Sequence, residues 1–266
     1  MKKIIAVTNQ KGGVGKTTTS VNLAASLGHL GKKILLIDMD PQGNTTSGVG
    51  IDKRSVEKSI YDVLIKKSEI NSVIVKTEFK NLDVIPSSMA LSGAELELSN
   101  LEYREFSLKS ALANISKNYD FIFIDCPPSL GLITTNALCA SNGIIVPLQC
   151  EFYALEGLSQ LMSTVRRIKR QYNNELELEG LVFTMYDKRL KLTLQVKAEI
   201  EKFFKDKVYN AYIPRTVRLS ESPSFGKPVF YFDKNSKGSK AYLDLAREFI
   251  KRNKKEAKIC QQNLAD

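Results

Sequence analysis

Hydrophobic residues along this chain fall into short unbroken runs, and longer amphipathic stretches lie between the runs. The runs are rich in β-branched residues and apolar on both faces, a pattern typical of strands buried inside a parallel sheet. Several of them end directly at a proline, which interrupts a strand. Seven strands are predicted on this basis, over residues 4–8, 33–38, 82–85, 121–125, 143–146, 178–185 and 208–213.

The amphipathic stretches predict helices that cover both faces of a mostly parallel sheet. One helix is predicted over residues 16–30, because Gly31 lies where a C-terminal cap is expected. A core-facing stripe on the helix after Glu151 comprises Leu155, Leu158, Leu161, Met162, Val165 and Ile168. We therefore expect one doubly wound α/β domain over residues 1–252, with its ligand site beyond the carboxyl ends of the strands. Residues 253–266 are expected to form a flexible tail.

A glycine-rich loop with the sequence KGGVGKTT separates the first predicted strand from the first predicted helix. Glycines in such a loop let backbone N–H groups turn toward phosphate oxygens, and the helix N-terminus adds the positive end of its dipole. Lys16 is placed to reach the β- and γ-phosphates, the Thr17 hydroxyl to bind Mg²⁺, and Thr18 to lie near the α-phosphate. The loop departs from the ordinary P-loop pattern because Gln10 replaces a glycine and Lys11 adds a second lysine. The predicted nucleotide-binding residues of the loop are Lys11, Gly12, Gly13, Val14, Gly15, Lys16, Thr17 and Thr18.

Three aspartates are predicted at the same edge of the sheet as this loop. Asp38 and Asp40 lie at and just after the end of the second strand, and Asp125 ends the fourth. An aspartate at the end of a buried strand beside a phosphate loop usually supports Mg²⁺, so Asp125 and Asp38 are the predicted metal residues beside Thr17. Asp40 lies beyond the strand and is expected to orient the water that attacks the γ-phosphate. These residues therefore predict a site for a triphosphate with Mg²⁺.

Charge is distributed unevenly along the chain. Its 266 residues carry a formal charge of +10, with an ordinary globular composition of 43% hydrophobic and 26% charged residues. Residues 1–185 contain 20 Lys or Arg and 19 Asp or Glu, whereas residues 186–258 contain 19 and 9. The basic excess therefore belongs to the C-terminal part and predicts a side that attracts polyanions. Charge alone does not decide whether the partner of this basic side is a nucleic acid or an acidic membrane surface, or whether it has no partner.

Histidine and cysteine usage excludes several other chemistries. The single histidine, His29, stands near the end of a predicted helix and cannot build a Ser/His/Asp triad or a paired-histidine metal site. The cysteines lie far apart without a CxxC pair, so they are expected to be reduced core thiols: Cys126, Cys139, Cys150 and Cys260. No apolar run reaches the ~18 residues of a membrane helix, and the apolar start is too short for a secretory signal. We expect a cytoplasmic protein.

Five motifs taken together resemble one known family. KGGVGKTT, LLIDMDPQGNTTSGVG, FIFIDCPPSLG, QCEFYALEGL and IPRTVRLSESPSFGKP are similar to the motifs of ParA/Soj chromosome-partitioning ATPases. That family belongs to the deviant Walker A group, which also contains MinD and the nitrogenase iron protein. The resemblance implies that Lys11 is the signature lysine, which reaches the partner's phosphates in an ATP-sandwiched homodimer. It also implies that the nucleotide is ATP and places the adenine near Met185, Pro214 and Thr216. The residues expected to act in catalysis are Lys11, Lys16 and Asp40.

The resemblance also implies what the basic side binds. ParA-like dimers bind double-stranded DNA without sequence preference and only with ATP, and a ParB-like partner stimulates their weak ATPase activity. By that resemblance, the chain is expected to associate with the nucleoid and to segregate chromosome or plasmid copies, without binding a membrane. Phosphate contacts of this kind carry affinity and no sequence information. The matching DNA-binding residues all lie within residues 186–252: Arg189, Arg218, Lys227 and Lys240.

Three other functions are alternatives for a chain with this loop. A MinD-like membrane-associated ATPase that places the cell-division site needs a C-terminal amphipathic anchor. An apolar stripe near the C-terminus, which core packing explains, comprises Tyr242, Leu245, Phe249 and Ile250. A metal-cluster carrier needs cysteines that bridge two subunits, and the cysteine spacing argues against it. A metabolic P-loop enzyme would show turnover that depends on a small substrate and is unaffected by DNA.

Overall fold

A seven-stranded sheet forms the centre of the molecule, of which the computed structural model describes residues 3–262. The strands are β1 (Lys3–Val7), β2 (Ile34–Asp38), β3 (Val75–Lys76), β4 (Leu82–Ile85), β5 (Phe121–Asp125), β6 (Gly143–Gln149) and β7 (Glu177–Thr184). Their order is β3-β4-β2-β5-β1-β6-β7, and in the described part of the chain every strand pair is parallel except β3 with β4. The predicted mostly parallel, doubly wound sheet is therefore confirmed.

Helices cover both faces of this sheet. The α-helices are α1 (Lys16–His29), α2 (Asn44–Gly48), α3 (Ile60–Leu64), α4 (Ala94–Ser99), α5 (Ser107–Ala113), α6 (Leu132–Ala140), α7 (Ala154–Gln171), α8 (Lys191–Phe204), α9 (Val217–Glu221), α10 (Val229–Phe232) and α11 (Lys237–Gln262). Shorter 3-10 helices lie at Ile70–Val73, Met89–Gly93, Arg104–Phe106, Lys205–Lys207 and Ser222–Phe225. Because successive side chains of a strand point to opposite faces, each buried strand contributes to two cores.

The two cores are built by neighbouring residues of the same strands. On β5, Phe123 packs on the side of α1 and α11, where its ring lies 5.7 Å from that of Phe249. Ile122 and Ile124, on either side of Phe123, belong to the other core, which α3 to α8 cover. Burial of apolar residues on both faces explains why the strands show unbroken apolar runs instead of an alternating pattern.

Both apolar stripes seen in the sequence face the core. On α7 the buried members are Leu158, Leu161, Val165 and Ile168. On α11 the buried members are Tyr242, Leu245 and Phe249, with Ile250 packed beside them. Core packing therefore accounts for the stripe on α11. None of the helices within residues 3–262 has both the length and the hydropathy of a segment that crosses a bilayer.

The predicted strand over residues 208–213 is wrong. In the described structure this segment runs beside β7 but pairs there through an isolated bridge at Val208. The carboxylate of Glu248, on α11, accepts the N–H groups of Asn210 and Ala211 at 3.0 Å each. Because those N–H groups bond to a side chain, no continuous ladder forms, although the N–H groups of Tyr209 and Ile213 donate to the Leu181 and Phe183 carbonyls of β7.

Two other differences concern the edge of the sheet and the end of the chain. The apolar pattern does not predict β3, because two residues are too few to show any periodicity. At the other end, α11 continues to Gln262, so residues 253–262 are helical beyond the expected domain boundary. The division into a domain and a flexible tail stays a prediction, and residues 263–266 lie outside the described part of the chain.

The cysteine side chains that the structure describes are buried, and the histidine ring packs against a phenylalanine ring. The buried free thiols are Cys126, Cys139 and Cys150. Burial raises the pKa of the Cys139 and Cys150 thiols to about 12, which keeps them protonated. The side chain of Cys260 lies outside the described part of the chain. His29 ends α1, and its ring lies 4.2 Å from that of Phe230.

Candidate nucleotide site

The glycine-rich loop lies between β1 and α1, at the carboxyl edge of the sheet. Gly13 and Gly15 have φ angles of +74° and +85°, in the left-handed region that favours glycine. Gly15 directly precedes α1, and no described side chain caps the helix there. At the end of β7, the Thr184 hydroxyl donates to the Val14 carbonyl at 2.8 Å and fixes the loop from outside. The first N–H groups of α1 are therefore available to an anion.

The two lysines of the loop have different surroundings. The Lys16 side chain is buried, with the residue 7% exposed, and its ammonium donates to the Lys11 carbonyl at 3.0 Å. Burial lowers the pKa of Lys16, and the nearby Asp125 carboxylate opposes this shift. Lys11 is exposed, and its ammonium forms an ion pair with Glu151, which follows β6. Lys16 thus lies inside the loop, whereas the Lys11 side chain lies outside it.

Two aspartates lie side by side behind the loop. Asp38 ends β2 and Asp125 ends β5, and the register of these neighbouring strands pairs the two residues. Both are fully buried. The hydroxyls that donate to the Asp125 carboxylate are those of Thr17 (2.8 Å), Ser20 (2.8 Å) and Thr45 (2.7 Å). Burial raises the pKa of Asp125, and the three hydroxyl donors oppose that shift.

Asp38 and Asp40 are hydrogen-bonded to each other, because the Asp40 N–H donates to Asp38 Oδ1 at 3.2 Å, but they differ in burial. One Asp38 oxygen accepts both the N–H of Thr46, at 2.8 Å, and its hydroxyl, at 2.7 Å. Burial and the neighbouring Asp125 raise the pKa of Asp38 to about 7. Asp40 is half-buried, and its carboxylate accepts the N–H of Gln42 at 2.9 Å. Asp40 is therefore more accessible than Asp38, and its role in orienting water stays a prediction.

The oxygen donors of this site suit Mg²⁺, which is bound through carboxylate and hydroxyl oxygens and water beside phosphates. Because the Thr17 hydroxyl donates its hydrogen bond to Asp125, the hydroxyl oxygen keeps its lone pairs for a cation. Thr17 therefore fits a direct ligand, with Asp125 and Asp38 behind it. The structure brings these three residues together, and their role toward the metal stays a prediction.

The residues predicted to contact the adenine lie around the end of β7. Met185 follows this strand with a φ angle of +50°. The next residue, Tyr186, donates its N–H to the carbonyl of Ile213 at 3.0 Å, which brings Pro214 to the same place. The Thr216 side chain caps the N-terminus of α9, so its hydroxyl already has a structural partner. The structure groups Met185 and Pro214, and all three adenine contacts stay predictions.

The residues predicted to bind DNA differ in their charge environment. Arg189 forms a bidentate pair with Asp187, with N···O distances of 2.9 and 2.6 Å, and this pair lowers the pKa of Asp187 to about 2. Arg218 lies 3.0 Å from Glu221 and 3.3 Å from Asp233. The two lysines, both exposed, are Lys227 before α10 and Lys240 on α11. Both arginines therefore have acidic neighbours with which a polyanion has to compete.

Sequence reasoning did not select Ser20, Thr45, Thr46 or Glu151. Thr45 and Thr46 lie inside one of the quoted motifs, and Ser20 lies in the first turns of α1. A buried carboxylate needs hydrogen-bond donors, and this requirement is the signal that points to nearby hydroxyls. Glu151 lies 140 residues from Lys11 along the chain, so no local pattern pairs the two.

A buried lysine in a glycine-rich loop, a hydroxyl at the start of the next helix and aspartates at the strand ends define a P-loop nucleoside-triphosphatase. A family model described as an AAA domain matches residues 2–178 of this chain. The sporulation initiation inhibitor protein Soj of Bacillus subtilis is 56% identical over 248 residues, which cover 93% of this chain and 98% of that protein. The chain belongs to the ParA/Soj family, and the resemblance found in its motifs is confirmed.

Two further comparisons agree with this assignment and with the fold. The chromosome partitioning protein ParA of Myxococcus xanthus is 50% identical over 251 residues, which cover 94% of this chain and 89% of that protein. Among solved structures, a cobyrinic acid a,c-diamide synthase from Mycobacterium smegmatis with bound ATP analog and magnesium has a TM-score of 0.84 and 35% identity. The match covers 96% of each chain.

Proposed function

We propose that this chain is a partitioning ATPase that acts as a switch. With ATP and Mg²⁺ bound, two copies dimerise and bind double-stranded DNA without sequence preference, and hydrolysis to ADP and phosphate separates them. The observation that carries this proposal is the buried Lys16 beside a Thr17 hydroxyl that donates to Asp125. The name of the Myxococcus relative supports a role in partitioning, and the ATP analog and magnesium in the mycobacterial structure support ATP and Mg²⁺ as the ligands.

The loop and the first turn of α1 would hold the triphosphate. The Lys16 ammonium exchanges the Lys11 carbonyl for phosphate oxygens, and the N–H groups at the start of α1 donate to the same anion. The Thr17 hydroxyl and the two buried aspartates would hold Mg²⁺, which neutralises charge on the phosphates when bound. Asp40 orients the attacking water.

Lys11 would act on the nucleotide of the second copy. Its exposed ion pair with Glu151 is of a kind that contributes about 0–1 kcal/mol, so the highly charged triphosphate of a partner can replace it. A lysine inserted in this way neutralises the charge that develops during phosphoryl transfer. Nucleotide binding and dimerisation are thereby linked through one side chain.

The basic residues of the C-terminal part would form the DNA surface. Residues 186–258 contain 19 Lys or Arg against 9 Asp or Glu, which suits contacts to phosphates. Dimerisation doubles the number of such contacts, so ATP switches affinity steeply. A ParB-like partner stimulates the weak intrinsic hydrolysis, and the ATP-bound dimer associates with the nucleoid.

A DNA-binding assay with each nucleotide tests this function. Fluorescence anisotropy on two unrelated duplexes, at several salt concentrations, compares protein without nucleotide, with ADP and with ATP. We expect tight binding with ATP alone, equal on both duplexes and weakened by salt. Lys16→Ala, which removes the loop ammonium, is the control and is expected to show no ATP effect. Equal binding in all three nucleotide states would contradict the proposal.

The MinD-like alternative finds less support in the described residues. The apolar side chains of α11 that an amphipathic anchor would need, Tyr242, Leu245 and Phe249, are buried in the core. Flotation with anionic lipid vesicles separates the two functions. We expect the ATP-bound protein to stay with the unbound fraction, and firm ATP-dependent flotation without DNA would favour the alternative.

A further inference from the structure

Two consecutive threonines connect α2, the helix that follows Asp40, to the buried carboxylates of Asp38 and Asp125 through hydrogen bonds. Thr45 and Thr46, on α2, are both fully buried. The Thr45 hydroxyl donates to Asp125 at 2.7 Å, and the Thr46 hydroxyl donates to Asp38 at 2.7 Å. Consecutive helical side chains point about 100° apart, so adjacent residues of α2 reach two different strands. The short helix is thereby attached to the ends of β2 and β5.

The direction of the Thr46 hydrogen bond is set by its surroundings. Ser87, which follows β4, donates its N–H to the Thr46 hydroxyl oxygen at 3.0 Å. That oxygen is an acceptor toward Ser87, so its proton is directed to Asp38. The Thr46 N–H donates to the same Asp38 oxygen at 2.8 Å. Three hydrogen bonds through one residue therefore fix α2 against β2 and β4.

Helix α2 cannot hold its position through its own length. It has five residues, and Gly43 before it has a φ angle of +63° and no side-chain cap in the described structure. A helix this short is not stable alone in water. The Asp40 loop joins directly onto it, because the Gly43 N–H donates to the Asp40 carbonyl at 2.9 Å. On its other side, the Asp40 N–H donates to Asp38 at 3.2 Å. The place of Asp40 therefore depends on both the end of β2 and what holds α2.

We propose that Thr45 and Thr46 are positioning residues for ATP hydrolysis. Their hydroxyl bonds to the buried carboxylates hold α2, and through α2 they keep Asp40 where it orients the attacking water. This inference rests on the proposed function, in which Asp40 has that role. Neither threonine touches the reacting atoms, so their loss should affect the hydrolytic step far more than the binding of nucleotide by the glycine-rich loop.

Substitution of Thr45 tests the hydroxyl directly. Thr45→Val removes the hydroxyl and keeps the branched shape, and we expect kcat for ATP to fall by about 10- to 100-fold. The affinity for a non-hydrolysable ATP analogue should change by less than about threefold. Thr45→Ser keeps the hydroxyl and should restore most of kcat. Thr193→Val is the matched control, because Thr193 is a buried threonine of α8 that contacts neither carboxylate in the described structure.

Amide hydrogen exchange of the nucleotide-free protein provides a second readout. We expect Thr45→Val to speed exchange within residues 40–50, while Thr45→Ser and Thr193→Val leave that segment as in the wild type. Thr46→Val keeps the backbone bond to Asp38 but removes the hydroxyl bond to Asp38 and the acceptor of the Ser87 N–H, so we expect changes in the same direction and at least as large. If Thr45→Val does not fold, Thr46→Val provides the test of the proposal in its place.

Wild-type kcat and wild-type exchange in the valine variants would overturn the proposal. A serine variant as slow as the valine variant would also overturn it, because the hydroxyl would then not be the group that matters. If the wild-type protein itself hydrolyses no ATP under conditions where it binds the analogue, the proposed function fails instead, and the exchange data alone report on the anchoring of α2.

Discussion

The paired aspartates at the ends of β2 and β5 are the residues that make this site sensitive to pH. Asp38 and Asp125 are register partners and fully buried, so each disfavours the charge of the other. Burial and Asp125 together raise the pKa of Asp38 to about 7, although Thr46 donates two hydrogen bonds to it. The folded, nucleotide-free protein therefore holds a proton there that the unfolded chain releases at lower pH.

The contribution of Asp38 to the free energy of unfolding is expected to fall as the pH rises from 4 to 7. An acid whose pKa is raised by folding stabilises the folded state fully below the unfolded value of 3.8, and this stabilisation is lost as the pH passes the folded value. The slope is at most about 1.4 kcal/mol per pH unit. Urea unfolding without nucleotide, at intervals from pH 5 to pH 8, measures it.

Asp38→Asn cannot titrate and should show a flatter dependence on pH below 7 than the wild type. Asp52→Asn, at an exposed aspartate, is the control and should keep the wild-type slope. A wild-type slope in Asp38→Asn would show that the aspartate pair is not the source of the pH dependence.

Among the elements, the strands that carry the site were predictable from sequence, whereas the edges of the sheet were not. Six strands appear as mostly apolar runs without strict alternation, because both faces of the sheet are covered. The segment 208–213 is also largely apolar, but two of its N–H groups donate to the carboxylate of Glu248 on α11. Because Glu248 is distant along the chain, no local sequence pattern predicts these hydrogen bonds. The same limit applies to Thr45 and Thr46, whose carboxylate partners follow from the strand register and not from a motif.

Two helical glycines lead to opposite predictions for the same substitution. A Cβ on Gly157, in α7, would meet nothing within 4 Å, so Gly157→Ala should raise the free energy of unfolding by about 0.5–1 kcal/mol. A Cβ on Gly28, in α1, would lie 2.4 Å from the Lys80 carbonyl oxygen. Gly28→Ala should therefore lower stability by about 1–3 kcal/mol. Urea unfolding of both variants measures the two changes. A Gly28→Ala variant as stable as the wild type would contradict the close packing at Gly28, and a destabilised Gly157→Ala variant would contradict the open space at Gly157.

For the molecule as a whole, the proposed DNA binding depends on the separation of charge along the chain. Residues 1–185 are close to neutral, and the basic excess lies beyond them. Within the basic part, the pair between Arg189 and Asp187 keeps a carboxylate beside a predicted phosphate contact. The net charge therefore overestimates the positive charge that is available to DNA phosphates. Substitution of Arg189 and substitution of Asp187 are expected to have opposite effects on DNA binding.

Arg189→Ala should weaken ATP-dependent DNA binding equally on all sequences and reduce the salt slope by about one phosphate contact per subunit. Asp187→Asn removes the carboxylate that competes with phosphate, so it should strengthen binding. Arg54→Ala, at an exposed arginine of the near-neutral part, is the control. Anisotropy at several salt concentrations measures all three, and an unchanged slope in Arg189→Ala would remove that residue from the interface.

The proposed switch depends on ATP-dependent dimerisation through Lys11, and the mass of the protein in solution measures this step most directly. Light scattering with ATP and Mg²⁺ compares Asp40→Ala, in which slow hydrolysis preserves the bound state, with the double variant that also carries Lys11→Ala. We expect about twice the 29.8 kDa chain mass for Asp40→Ala and a monomer for the double variant, although both bind nucleotide. A dimer of equal stability in both proteins, or a monomer in both, would contradict the switch.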